Sequence, residues 1–382
     1  MHDGNKLQEH MSDIRPKIVF VFATAKVAGI EVAWRDIIRL IHAEYQIRIV
    51  IWGGYGPIVE SYLQMGIPVD VLGADQGLLS AALKLFRLLR SGEHDAVITS
   101  GFYPDMVVRF LRGFFCIRYY VTLIPGLTTS VSVPKLRFWF LNIISGSVDC
   151  YLFNSENNAS LFHKYPRVRD KVKVMKLGIE YLPDKTVMEW NVSRDRTSSG
   201  IFRLICVANM LPVKNHIFLV NLFDAMRDQL NNVQLVFVGK GPLKSGLQVT
   251  CRQRNIPGIT FCENVPKVND LLATSDAFIF ASHFEGTPMA IMEAMNAGLP
   301  VIAYQGEPYS GVNELVKDGK TGELLDSFDM ESWISAIQRL QDDKEYRLLM
   351  GQGGRNVVQP YKLSRVSLEA KQMIDRWIHV SP

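Results

Sequence analysis

Apolar residues in this chain cluster into short unbroken runs separated by longer amphipathic stretches, and the alternation occurs twice. In the first half, Lys17-Ile-Val-Phe-Val-Phe, Ile47-Arg-Ile-Val-Ile-Trp, Pro68-Val-Asp-Val-Leu, Ala96-Val-Ile-Thr, Tyr119-Tyr-Val-Thr-Leu and Cys150-Tyr-Leu-Phe-Asn read as buried strands. Between them, residues 31–45, 57–65 and 78–90 place apolar side chains at helical spacing, with Pro57 positioned to open its helix. A second series follows a polar segment, 183–200, that reads as a linker. Its strands are Phe202-Arg-Leu-Ile-Cys-Val-Ala, Gln234-Leu-Val-Phe-Val, Ile259-Thr-Phe-Cys, Ala277-Phe-Ile-Phe-Ala and Pro300-Val-Ile-Ala-Tyr, and residues 364–379 form a last helix. Strands alternating with helices imply parallel sheets covered on both faces. The chain is therefore expected to be α/β, with two doubly wound domains at 14–185 and 201–362, a linker at 186–200 and a C-terminal segment at 363–382. Their strand C-terminal ends would line a shared cleft, where such sheets bind ligands.

Composition adds exclusions. With 382 residues, 48% apolar and 21% charged, the chain is neither fibrous nor disordered. The start, Met1-His-Asp-Gly-Asn, is polar and carries no visible signal peptide. The uncharged run at 138–148 is too short to span a bilayer, which takes about 20 residues. Five scattered cysteines without a Cys-x-x-Cys pair suit buried thiols in a reducing cytosol. The net charge of +4 is uneven: residues 84–176 hold fourteen Lys or Arg against six Asp or Glu. Here Arg87, Arg90, Arg109, Arg112, Lys135 and Arg137 are interleaved with Phe86, Phe114, Phe115, Phe138 and Trp139. Such a surface fits anionic lipid or a lipid diphosphate, and amphipathic core helices with snorkelling cations fit it equally. A peripheral membrane contact through 84–139 is one expectation, and no nucleic-acid partner is expected.

The most informative stretch is Ser282-His-Phe-Glu285-Gly286-Thr287-Pro288-Met289-Ala290-Ile-Met-Glu293-Ala-Met-Asn-Ala-Gly298-Leu-Pro300. It reads as a strand, a tight turn at Gly286, and a helix with Thr287 as N-cap and Pro288 at its first position, closed by Gly298. Glu285 then lies in the turn and Glu293 about a turn and a half into the helix. The free amides of the first turn would be those of Met289 and Ala290, aimed where an anion binds. Upstream, Asn209-Met-Leu-Pro-Val-Lys214-Asn-His216 delivers a lysine after a strand, and Val238-Gly239-Lys-Gly241-Pro242 reads as a phosphate or base loop. A dinucleotide fingerprint would need its third glycine where Lys244 stands. Gly319-Lys-Thr321 would need a glycine at Glu314 to be a phosphate-binding P-loop. No Asp-x-Asp occurs, so no metal site is expected, and His216 and His283 read as structural.

These motifs together resemble the E-x7-E region of the retaining group 1 glycosyltransferases (glycosyltransferase family 4), whose architecture is GT-B. The resemblance implies that the first domain binds the acceptor, the second binds the nucleotide sugar, and the last helix crosses back to the first domain. It assigns Glu285 to the donor sugar's hydroxyls, Glu293 to the ribose and Lys214 to the diphosphate. Asn209 stands where the family carries an arginine. Gly29 remains of a Gly-Gly loop lining the reaction centre, and Ile124-Pro125-Gly126 stands where a histidine often lies. The function implied is a cytoplasmic, metal-independent, retaining hexosyltransferase of surface polysaccharide synthesis. It would take a nucleotide-diphosphate sugar, UDP-linked by preference, as co-substrate, with no resident cofactor and a glycan or lipid-linked acceptor. A sugar-nucleotide epimerase of similar architecture and a non-catalytic partner subunit are the alternatives.

Overall fold

The computed structural model describes residues 15–26, 29–124, 144–196, 200–226, 232–265 and 267–379. Two all-parallel sheets organise it. The first contains β1 (Lys17–Phe22), β2 (Gln46–Ile51), β3 (Val69–Val71), β4 (Glu93–Ser100), β5 (Cys116–Ile124), β6 (Cys150–Phe153) and β7 (Val172–Val174), in the order β3-β2-β1-β4-β5-β6-β7. The second contains β8 (Phe202–Val207), β9 (Val233–Val238), β10 (Ile259–Cys262), β11 (Ala277–Phe280), β12 (Val301–Tyr304) and β13 (Gly322–Leu325), in the order β10-β9-β8-β11-β12-β13. The central strands are buried on both faces. Ile18, Phe20 and Val21 of β1 and Ala277, Phe278 and Ile279 of β11 expose almost nothing, which is why they read as continuous apolar runs.

Two short edge strands, β7 and β13, escape the hydrophobic pattern. Val172–Val174 spans three residues with Lys173 exposed, and β13 opens on Gly322 and Glu323. Neither offers a full apolar run, and both exist because a finished neighbour presents an unpaired edge.

The linker expectation at 186–200 is corrected. Asp184–Arg196 is a helix of the second domain, where Arg194 donates to the carbonyls of Leu272 and Ala297. It reads as a linker because it is polar nearly all round. The chain changes domain earlier, beside its return path: Ile179 and Leu363 donate to the carbonyls of Tyr361 and Ile179 (both 2.8 Å). Beyond that point the helix Leu363–His379 lies on the first domain. Val366, Ala370, Ile374 and Trp377 enter the core formed by Ile37, Ile38 and Ile41, and the Trp377 ring stacks on Tyr119. The bound at residue 14 and residues 197–199 of the linker lie outside the described residues.

The basic surface is also smaller than its sequence implies. Arg109 is buried, forming an ion pair with Asp105 at 2.8 Å and donating to Tyr151 and Thr122, because its i,i+4 partner lies on the core face of the same helix. Arg112 pairs with Asp149 at 2.6 Å, and Phe115 is buried. Leu79, Leu83, Arg87 and Arg90 remain exposed on one helix face, with Phe110 and Phe114 exposed nearby. Lys135, Arg137, Phe138 and Trp139 lie outside the described residues. No helix among the described residues is long and apolar enough to cross a membrane. Cys116 is exposed, against the expectation of buried thiols, because it opens a strand at the sheet's rim; Cys150, Cys206 and Cys251 are buried.

Candidate functional site

The two sheets face each other across a cavity of about 780 Å³. The second domain contributes Asn209, Lys214, Gly239, Glu285, Gly286, Thr287, Pro288, Met289, Ala290 and Glu293, so nearly every residue the sequence singles out meets in one lining. Gly29 faces them from the first domain, so close that a Cβ built on it would stand 3.3 Å from Met289 Cγ.

The strand-to-turn-to-helix unit at 277–296 supplies the chemistry. Strand β11 ends at Phe280, and Glu285 sits in the following turn, about nine-tenths buried. Lys214 Nζ donates to Glu285 Oε1 at 2.5 Å. A lysine reaches this point because Pro212–Lys214 forms a single 3-10 turn ended by Asn215 in the left-handed conformation (φ 52°), which asparagine tolerates. An ammonium has three donors, so Glu285 leaves two for another anion. The side-chain carboxylate of Glu293, on the next helix, has neither ion pair nor hydrogen bond among the described residues. Burial without a compensating partner pushes its carboxyl up to about 7.

The helix cap differs from its expected form. The helix runs Met289–Asn296 with Pro288, not Thr287, at the N-cap, and no side chain caps it. Pro288 leaves the helical region (ψ 84°), which turns the Met289 N–H back onto the Thr287 carbonyl at 2.9 Å. Met289 is therefore not a free donor. The amides of Gly286, Thr287 and Ala290 take no partner among the described residues, so the anion-binding amides fall partly in the turn. The Thr287 hydroxyl instead donates to the Asn154 carbonyl of the first domain at 2.8 Å.

The glycine loop divides. Gly239 lines the cavity, whereas Gly241 does not; a Cβ on Gly241 would fall 2.5 Å from the Met210 carbonyl, so this glycine seats the 208–211 loop instead of meeting a ligand. Asn209 is exposed at the cavity rim. His216 is fully buried against Phe237, with its pKa lowered to about 4 by burial, and His283 packs on Phe328. Pro125 and Gly126 lie outside the described residues, as does Ala28.

Sequence reading missed Glu31 and Asn154 as lining residues. Glu31 accepts from the Thr24 hydroxyl at 3.2 Å, and burial raises its pKa. The available signal for Asn154 was a polar residue directly after the buried run Cys150–Phe153, at the C-terminal end of a parallel strand.

Residues 194–357 match the family model described as glycosyl transferases group 1. The second domain is a group 1 glycosyltransferase domain. The chain is 27% identical over 146 residues to sulfoquinovosyl transferase SQD2 of Arabidopsis thaliana, spanning 37% of this chain and only 28% of that protein. It is 23% identical over 347 residues to the capsular polysaccharide biosynthesis glycosyltransferase CapH of Staphylococcus aureus, covering 86% of this chain and 92% of CapH. In three dimensions it is similar to HepE of Anabaena, solved in complex with UDP and glucose: TM-score 0.80 at 16% identity, over 95% of this chain and all of that one. The architecture is thus GT-B, with the glycosyltransferase domain supplying nearly all of the candidate site.

Proposed function

We propose that this protein is a retaining, metal-independent glycosyltransferase that moves a hexose or N-acetylhexosamine from a UDP-sugar to a lipid-linked or oligosaccharide acceptor in surface polysaccharide synthesis. The observation that carries the reading is the pairing of opposites in one cavity. Lys214 and the unclaimed amides of Gly286, Thr287 and Ala290 await an anion, while the unpartnered Glu293 awaits hydroxyl donors eight residues from Glu285. A nucleoside diphosphate sugar offers both: diphosphate oxygens for the first group and ribose hydroxyls for the second.

In this mechanism negative charge develops on the β-phosphate oxygen as the bond to the sugar breaks. Lys214 and the fixed amides stabilise that oxygen in place, which makes departure the assisted step. The acceptor hydroxyl attacks on the face that the diphosphate leaves, and the departing phosphate takes its proton. Glu285, held by Lys214, orients the sugar through its hydroxyls. The resemblance to CapH and to HepE supports a polysaccharide pathway and a uridine nucleotide. The face with Leu79, Leu83, Arg87 and Arg90 supports an acceptor drawn from a membrane surface.

The test is release of nucleoside diphosphate from UDP-, GDP- and ADP-sugars with and without acceptor. A transferase releases it in proportion to acceptor; a non-catalytic subunit releases none. A thermal-shift series with the free nucleotides selects the base, since a ligand at a hundred times its dissociation constant adds about 2.7 kcal/mol.

A further inference from the structure

The turn that carries Glu285 is not held by its own domain alone. Its backbone is fixed by the segment 310–314: the Glu285 N–H donates to Ser310 Oγ at 3.2 Å, and the Gly311 N–H donates to the Glu285 carbonyl at 2.9 Å. Gly311 lies so close that a Cβ on it would stand 1.9 Å from the Gly286 carbonyl oxygen, locking the two segments in register. The other side of 310–314 is docked on the first domain, on residues 154–157 after β6. Glu314 Oε1 accepts the Ser155 hydroxyl at 2.6 Å and the Asn157 N–H at 2.7 Å. The Asn157 side-chain amide donates to the Ser310 carbonyl at 2.8 Å and to Asn313 Oδ1 at 2.5 Å.

The segment 310–314 is thus a polar bracket. One face sets the sugar-side carboxylate, and the other is satisfied only when the two domains are together. Hydrogen bonds to a carboxylate are about twice as strong as neutral ones, so Glu314 dominates the docked face. We propose that Glu314 and Asn157 are positioning residues that register Glu285 toward the donor sugar only while the first domain is seated on 310–314. The inference rests on the reading of Glu285 as a donor-sugar ligand. It goes beyond that reading by making first-domain residues a condition for recognising the sugar. Nucleotide binding itself does not need them, because Lys214 and Glu293 both belong to the second domain.

The experiment compares wild type, E314A, N157A, E314Q and the E314A/N157A double variant by small-angle scattering and by calorimetry with UDP and UDP-glucose. E314A and N157A should enlarge the radius of gyration and leave UDP affinity within twofold. They should lower the preference for UDP-glucose over UDP at least fivefold. E314Q keeps an acceptor oxygen and should recover most of both, and the double variant should be no worse than E314A, because the two residues act as one unit. A wild type that binds both ligands while E314A matches it in radius and in preference overturns this proposal alone. A wild type that binds neither nucleotide overturns the donor reading and this proposal with it.

Discussion

Lys214 and Glu285, 71 positions apart in sequence, meet at 2.5 Å across the ends of two neighbouring strands, β8 and β11. The pair gives the free cleft a neutral centre and keeps two ammonium donors for an incoming diphosphate. Lys214→Ala should reduce turnover by the equivalent of roughly 2.7 to 4 kcal/mol, the scale of losing one oxyanion donor. Steady-state kinetics check it, with a melting curve to exclude unfolding.

Glu285 and Glu293 should separate by ligand. The ribose is common to nucleotide and donor, whereas the sugar belongs to the donor only. Calorimetry with UDP should show Glu293→Ala weakening binding and Glu285→Ala sparing it. Equal losses for both would refute the assignment.

Glu293 also makes stability depend on pH. Its carboxyl is raised from 4.5 to about 7 in the fold, so the native state holds the extra proton and stability falls as pH rises across that window. Glu293→Gln removes the cost: it should be more stable than wild type at pH 8 by roughly 3 kcal/mol, and nearly indistinguishable near pH 4.5. His216 acts in the opposite direction in both proteins, its neutral form losing stability as pH falls from 6.5 toward 4. Chemical denaturation at both pH values checks the difference, and equal increments would count against it.

Asn209 sits exposed at the rim of the cavity that Lys214 also lines. Asn209→Arg should tighten UDP binding, since a guanidinium holds phosphate more strongly than a neutral amide. Unchanged affinity would show that the 208–211 loop directs position 209 away from the diphosphate.

The exposed face of Leu79, Leu83, Arg87 and Arg90 should bind vesicles of anionic lipid at low ionic strength and release them at high salt. Replacing both Arg87 and Arg90 by Glu should abolish co-sedimentation. Arg109→Ala, by contrast, should destabilise the first domain, because it leaves Asp105 buried beside Tyr120 and Thr122 without its cation.

The local order of this protein was determined by its sequence. Unbroken runs such as Ile18-Val-Phe-Val-Phe22 have one stable location, the centre of a parallel sheet, and Gly286 and Pro288 mark a turn and a helix start after β11, although the backbone of that turn is then held by Ser310 and Gly311. The edge strands β7 and β13 were decided by their neighbours, because Lys173 in one and Gly322 and Glu323 in the other leave no apolar run long enough to declare itself. The helix Asp184–Arg196 belongs to the second domain through side-chain bonds to carbonyls distant in sequence, which no periodicity encodes. Thr287 carries the lesson to the site. Locally it is an ideal cap, yet its hydroxyl goes to the Asn154 carbonyl because the first domain brings that oxygen within 2.8 Å. Hydrophobic pattern and turn chemistry act over a few residues; pairing Lys214 with Glu285, and Glu314 with Ser155, depends on which strand ends the completed sheets set side by side.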